Sequence, residues 1–153
     1  ILFRDITTLL KDKDAFKLAI DKMAEQVKDK KVDLIVGAES RGFLIGSALA
    51  YKMNCGFIPV RKKGKLPYKT ISEEYDLEYG TDTLYMHEDA IKKGDNVLVV
   101  DDLIATGGTA LAMIKMVEKL GGNVIGSSFL IELVELNGRK EIEKYPINIL
   151  IKY

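Results

Sequence analysis

The sequence has little of what several classes of protein require. Its single cysteine, Cys55, excludes an internal disulfide framework and suits a reducing compartment, and one histidine is too few for a Cys/His zinc cluster. The 23 Lys and Arg residues balance the 23 Asp and Glu residues, so no overall charge favours nucleic acid or an anionic membrane. Apolar runs are too short to cross a bilayer. We therefore expect a cytoplasmic protein with no nucleic-acid or membrane partner.

The pattern that is present is typical of an α/β protein. The 153 residues, 47% of them hydrophobic, suffice for one domain with a sizeable core. Apolar runs and helical spacing predict strands at 32–36, 56–60, 96–100, 124–133 and 147–151, helices at 16–27, 42–53 and 110–120, and a short polar helix near 138–143. This alternation predicts a doubly wound, mainly parallel sheet with helices on both faces. Ligands of such folds bind at the carboxyl ends of the strands.

The stretch VLVVDDLIATGGTA, residues 97–110, carries the clearest sign of a ligand site. Its TGGT segment lies between a buried strand and the start of a helix, where unpaired N–H groups and the helix dipole attract an anion. No lysine follows the glycines and the spacing is not G-x-G-x-x-G, which excludes a Walker loop and a dinucleotide fingerprint. Such a loop suits a terminal phosphate monoester. The predicted phosphate-binding residues are Ala105, Thr106, Gly107, Gly108 and Thr109.

Two carboxylates precede this loop. Asp101 and Asp102 would repel a phosphate unless sugar hydroxyls, or a Mg²⁺ ion with its waters, lie between them. A folded loop spans less than its extended limit of roughly 3.5 Å per residue, which leaves the length of a ribose 5-phosphate between Asp102 and Gly107. The pattern therefore predicts a ribose-phosphate site, with Mg²⁺ held through substrate and water. The alternative is a purely structural role, in which a capped helix follows a strand and ordinary acidic turn residues.

This stretch resembles the phosphoribosyl-diphosphate signature of the type I phosphoribosyltransferases. Four further stretches are similar to the adenine-using members of that family and follow in its order: FRDI at 3–6, ESRGF at 39–43, VRKKGKLP at 60–67 and YDLEYG at 75–80. The resemblance covers nearly all of residues 1–153 as one domain and implies a small hood and a flexible loop or hairpin. Family members usually begin some residues earlier, so we expect preceding residues to complete the base-binding hood.

The resemblance also implies a reaction. Adenine and 5-phosphoribosyl 1-diphosphate, with Mg²⁺, would give AMP and diphosphate. A homodimer is implied as well, with the basic loop at residues 61–65 near the subunit interface.

Breaking the C1–O bond releases a polyanion, so this chemistry requires local cations although the chain has no net charge. Arginine holds phosphate bidentately and lysine as a point charge. The candidates are Arg41, Arg61, Lys62 and Lys65. The alternative for the run RKKGK is a solvated basic turn.

In the resembled family, the peptide before the serine of the first loop is often cis. Here that peptide joins Glu39 to Ser40, and the resemblance implies that its neighbouring N–H groups face diphosphate. Phe3 and Arg4 look like the family's base-binding pair, an aromatic face for the purine with an arginine beneath it. The alternative is a core phenylalanine and a surface arginine.

Residues 61–80 carry charges, two glycines, one proline and little periodicity, which predicts a long functional loop. Glu78 is the candidate for managing the proton at the purine imidazole edge, and Tyr79 for covering the reacting sugar. An exposed glutamate and an ordinary loop tyrosine are the alternative. We expect this segment to be mobile or open without ligand.

Two other functions remain open. A phosphoribosyltransferase for a 6-oxopurine such as xanthine would need a donor at O6, but the strand at 124–133 has no Lys or Arg, which favours a 6-aminopurine. A non-catalytic phosphoribosyl-diphosphate sensor that regulates transcription would need a nucleic-acid-binding module or a basic face. The neutral composition and the intact loop residues argue against a sensor.

Overall fold

A parallel sheet forms the centre of the computed structural model, which describes residues 5–77 and 79–153. The strands in these residues are, in chain order, β1 (Leu34–Ala38), β2 (Gly56–Val60), β3 (Thr70–Leu77), β4 (Gly80–His87), β5 (Asn96–Ile104), β6 (Asn123–Glu132) and β7 (Ile147–Lys152). Five of them form a sheet in the order β2-β1-β5-β6-β7, and each pairing is parallel. The predicted α/β class with a mainly parallel sheet is confirmed.

Helices cover both faces of this sheet. They are α1 (Thr7–Lys11), α2 (Lys13–Gln26), α3 (Arg41–Met53) and α4 (Gly108–Lys119). Along β5, Val97 and Val99 belong to the apolar cluster that contains α4, while Leu98 and Val100 belong to the cluster of α2 and α3. This period of two is what a strand buried on both faces requires. Within residues 5–77 and 79–153, no helix has the length and apolar composition needed to cross a membrane.

The strand boundaries differ from the predicted ones in two places near the site. Strand β1 begins at Leu34 and continues to Ala38, beyond the predicted end at residue 36. Strand β5 continues to Ile104, so Asp101 and Asp102 are strand residues and do not follow the strand. An apolar run ends at the first aspartate, but main-chain pairing with β6 continues past it. The two carboxylates are therefore held by a sheet ladder.

The prediction of a loop over residues 61–80 was wrong for its second half. Strands β3 and β4 form an antiparallel hairpin, an element that the family resemblance had implied. Ile71 and Tyr75 pack against the apolar cluster that contains α4, and the polar residues between them conceal the strand from a search for apolar runs. Main-chain hydrogen bonds of 3.0 and 2.8 Å between Arg61 and Tyr85 join the basic loop to this hairpin.

Candidate active site

A cavity of about 760 Å³ opens at the carboxyl ends of β1 and β5. Its walls are the loop after β1, the segment from the end of β5 into α4, and the hairpin. This is the position at which doubly wound sheets bind ligands. The predicted site residues that line it are Glu39, Ser40, Arg41, Lys62, Tyr79, Asp101, Asp102, Ala105, Thr106, Gly107, Gly108 and Thr109.

The predicted phosphate loop, residues 105–109, forms one wall of this cavity. Gly107 has a φ of +90° and caps α4, which begins at Gly108. That backbone conformation favours glycine. The N–H groups of Thr106 and Gly107 donate to no other residue in the described part of the chain. Free N–H groups at the start of a helix attract an anion.

The acidic pair lies at the end of β5, where Asp102 is buried and Asp101 is partly exposed. Asp102 is 3% exposed, and its N–H donates to Asp101 Oδ1 at 2.9 Å. Arg41 Nε lies 3.0 Å from Asp102 Oδ2, yet among the described residues this oxygen accepts no hydrogen bond. Burial, and then the negative charge of Asp102, raise the pKa of Asp101 well above its ordinary value, and Arg41 opposes this only in part. The pair can therefore accept a hydrogen bond from a hydroxyl group or contact a cation.

Lys62 is the cation of the basic run that lines the cavity. Its Nζ forms an ion pair with Asp82 of β4 and donates to the Tyr75 hydroxyl at 2.6 Å. Partial burial lowers the pKa of Lys62, but the hydrogen bonds to Asp82 and Tyr75 outweigh burial, so the net shift is upward. Two side chains of the hairpin therefore engage this cation.

Glu39 holds the start of the basic loop beside the cavity. Its Oε1 accepts from the Lys62 N–H at 2.7 Å and lies 3.3 Å from Arg61 Nε. The peptide between Glu39 and Ser40 is cis, as the resemblance implied. Arg61 and Lys65 lie outside the cavity lining, so in this conformation the structure does not bring them to the other predicted residues.

The hairpin tip supplies the outer wall of the cavity. Tyr79 is 94% exposed and borders it, as do Tyr75 and Leu77 of β3. Phe3, Arg4 and Glu78, the residues predicted to bind and protonate the base, lie outside the described residues.

Of the cavity-lining residues that the sequence pattern missed, Tyr75 and Gly42 bear most directly on the site. Tyr75 lines the cavity, and its spacing of two from Leu77 is the strand signal that would have placed these two side chains on one face. Gly42 lies at the first turn of α3, and a Cβ there would lie 2.8 Å from Asp101 Oδ1. Gly42 therefore makes room for the Asp101 carboxylate, a contact between distant segments that no local pattern reveals.

The chain is similar to known proteins along its whole length. Residues 7–152 match the model of the phosphoribosyl transferase domain family. The adenine phosphoribosyltransferase of Brachyspira hyodysenteriae is 86% identical over 153 residues, which are 100% of this chain and 90% of that protein. Both similarities include the loop after β1, the hairpin and the phosphate loop.

Solved structures share the fold. The crystal structure of adenine phosphoribosyltransferase from Thermoanaerobacter pseudethanolicus has a TM-score of 0.98 and 53% identity, and the match covers 100% of this chain and 89% of that one. The Saccharomyces cerevisiae enzyme, complexed with an imino-altritol bisphosphate and adenine, has a TM-score of 0.91 and 42% identity, with 98% and 87% covered. The chain belongs to the adenine phosphoribosyltransferases of the phosphoribosyl transferase domain family.

Proposed function

We propose that this chain transfers the 5-phosphoribosyl group of 5-phosphoribosyl 1-diphosphate to adenine, giving AMP and diphosphate. The observation that carries the proposal is one cavity that combines free N–H donors at residues 106–107 with a pair of carboxylates, of which Asp102 is buried. Adenine is present in the S. cerevisiae structure. In the reaction, the C1–O bond to diphosphate breaks, the C1–N9 bond to adenine forms, and adenine loses its N9 proton.

The phosphate loop and the acidic pair would hold the two ends of the ribose 5-phosphate. The free N–H groups of Thr106 and Gly107 would donate to the 5′-phosphate, with help from the α4 dipole. Asp102 Oδ2 has no hydrogen-bond donor among the described residues and would accept from a ribose hydroxyl. Donors at one end and acceptors at the other fix the direction of the sugar.

The residues present also fit a Mg²⁺ ion that arrives with the substrate. Residues 5–77 and 79–153 contain no group of three or more His, Cys, Asp or Glu side chains that could form a protein cage. Mg²⁺ commonly keeps several waters and binds one or two carboxylates together with substrate phosphates. Asp101 and Asp102 would contact those waters. When bound, the ion would offset the negative charge of the diphosphate.

Diphosphate needs cations as it departs. Arg41 is the best placed, since its side chain lines the cavity and is 45% exposed while its Nε contacts Asp102. Backbone N–H groups next to Ser40 would add donors. Lys62 would join them once it leaves Asp82.

The base site completes the proposal. Phe3 would stack on the purine, with Arg4 beneath it. Glu78 would transfer a proton at N7 and thereby ease loss of the N9 proton. Tyr79 would cover the reacting sugar and exclude water when the hairpin tip closes. The sequence of β6 has no Lys or Arg to donate to a 6-oxo group, so backbone carbonyls would read the 6-amino group.

A spectrophotometric assay of adenine, hypoxanthine, guanine and xanthine in parallel tests this function. We expect turnover with adenine and far less with the three oxopurines. A preference for xanthine would contradict the base assignment. Binding of phosphoribosyl diphosphate without turnover of any base would favour the sensor.

We also propose a cytoplasmic homodimer. Leu44 and Tyr51, at 49% and 90% exposure, lie two turns apart on one side of α3, and this side of the helix would contact the second subunit. The free thiol of Cys55 suits a reducing compartment. Sedimentation should give twice the mass of the chain. A fully active monomer would contradict the dimer.

A further inference from the structure

The phosphate loop rests on a second backbone segment that does not line the cavity. This segment is the 3-10 helix Gly138–Glu141, here called the backing turn. A Cβ on Gly138 would collide with the carbonyl oxygen of Ala105 and would lie 2.9 Å from Gly107 N. In return, a Cβ on Gly107 would lie 2.5 Å from the Gly138 carbonyl oxygen. The two backbones are therefore in direct contact, with no space for a side chain on either.

An ion pair between a partly exposed arginine and a buried carboxylate holds the backing turn in place. Arg139 Nε and Nη2 each donate to a different oxygen of Glu132, both at 2.8 Å. Glu132 is 3% exposed, and the hydrogen bonds from Arg139 lower its pKa. A bidentate arginine–carboxylate pair fixes orientation as well as distance.

The same strand end also fixes the entrance to the phosphate loop. Glu132, the last residue of β6, is opposite Ile104, which immediately precedes the loop. The N–H of Leu133 donates to the Ile104 carbonyl at 3.0 Å. The end of β6 thus fixes the position of Ile104, directly before the phosphate loop, through main-chain pairing. It also fixes the backing turn through the ion pair of Glu132 with Arg139.

We propose that Gly138 and the Arg139–Glu132 pair are positioning residues for the 5′-phosphate, a role that rests on the function proposed above. Two adjacent glycines make the phosphate loop intrinsically flexible, and N–H groups bind an anion tightly only when they are ordered before it arrives. The backing turn provides that order. None of these three residues lines the cavity, so they act through the loop.

Gly138→Ala tests the contact directly. The added methyl must displace the loop, so we expect the AMP Kd and the KM for phosphoribosyl diphosphate to rise about 10-fold to 100-fold, as for small misplacements of binding groups. The KM for adenine should change less than twofold. Gly94→Ala is the matched control, because its Cβ meets nothing within 4 Å while its φ of +88° strains the backbone. That control should lower the melting temperature and leave AMP affinity unchanged.

Arg139→Met and Arg139→Lys test the anchor and serve if Gly138→Ala does not fold. Methionine should weaken AMP binding while adenine KM stays constant, and lysine should restore part of the affinity. Lys144→Met, which removes the 2.9 Å pair with Glu118, is the control and should leave AMP affinity unchanged. Gly138→Ala and Arg139→Met variants that bind AMP like the wild type, or that weaken adenine and AMP equally, would overturn the positioning role. A wild-type protein that fails to bind AMP would instead overturn the proposed function.

Discussion

Replacing Asp101 by asparagine is expected to stabilise the fold while it impairs the reaction. Asparagine keeps an oxygen that can accept the Asp102 N–H, now bonded at 2.9 Å, and adds an amide that can donate to the Asp102 carboxylate. Shape and main-chain contacts are therefore preserved. The substitution removes a titratable carboxyl that burial and a neighbouring carboxylate disfavour in its charged form.

The direction of the pKa shift gives the sign and the pH dependence. In the unfolded chain, Asp101 ionises near its ordinary pKa of 3.8, whereas in the folded chain the pKa is raised. As pH rises above the ordinary value, the unfolded state releases its proton first, so the wild type loses stability relative to the variant. The loss grows by up to about 1.4 kcal/mol per pH unit until the folded pKa is passed. Because Arg41 offsets part of the charge, it limits this loss, which levels off once the pH exceeds the folded pKa.

Thermal unfolding of both proteins near pH 4.5 and near pH 8 measures this difference. A gain of 1 kcal/mol corresponds to roughly 2–4 °C for a chain of this size. The gain should be small at the lower pH and largest at the higher one. Asp14→Asn is the control, since that side chain is 88% exposed and should give no such trend. A variant that is less stable near pH 8, or a gain independent of pH, would show that Asp101 is not the destabilised carboxyl described here.

Four further predictions concern the reaction. Asp102→Asn should lower turnover with the fold intact, and normal activity in both aspartate variants would remove the carboxylates from the mechanism. Gly107→Val should weaken AMP and phosphoribosyl diphosphate binding, because φ is +90° and the Gly138 carbonyl is close; an unchanged AMP affinity by calorimetry would contradict the phosphate assignment. Asp82→Asn should tighten phosphoribosyl diphosphate binding about 1.5-fold to 5-fold, because Lys62 no longer forms an ion pair with Asp82 and is available to the ligand. This range corresponds to the free energy of a partly exposed ion pair. Weaker binding would show that Asp82 helps to hold the ligand. Glu78→Gln should cut the single-turnover rate roughly 10²-fold with little effect on phosphoribosyl diphosphate binding, and an unchanged chemical step would leave Glu78 without a chemical role.

The sheet and the phosphate loop were predictable because their signals are local. The apolar run before Asp101, the two glycines at 107–108 and the apolar helix face after them occur within 20 consecutive residues or so, the scale at which strand and helix periodicities act. The family resemblance implied the hairpin, but the search for apolar runs missed strand β3 because its polar residues alternate with only a few apolar ones. The end of β5 was placed too early because main-chain pairing does not require apolar side chains.

Contacts between distant segments could not be read from any local pattern. Lys62 contacts Asp82 only because the hairpin folds back beside the basic loop. The sequence pattern therefore did not reveal that this lysine forms an ion pair. Likewise, Gly138 gave no signal of its contact with the phosphate loop. Such pairs depend on the relative placement of whole elements, and local spacing carries no information about that placement.

Strand β5 lies in the middle of the sheet although it appears late in the chain. Strand β2 and the hairpin separate it in sequence from its neighbour β1, yet Leu34 of β1 pairs with Val97 of β5. Contacts so far apart in sequence form slowly, and during synthesis β1 and β2 emerge before the strand that must cover the inner edge of β1. Because β5 also carries the acidic pair and leads into the phosphate loop, closing the sheet and assembling the cavity are one event. A nascent chain that stalls before β5 has an open sheet edge that can pair with other chains, and it has no ligand to protect it.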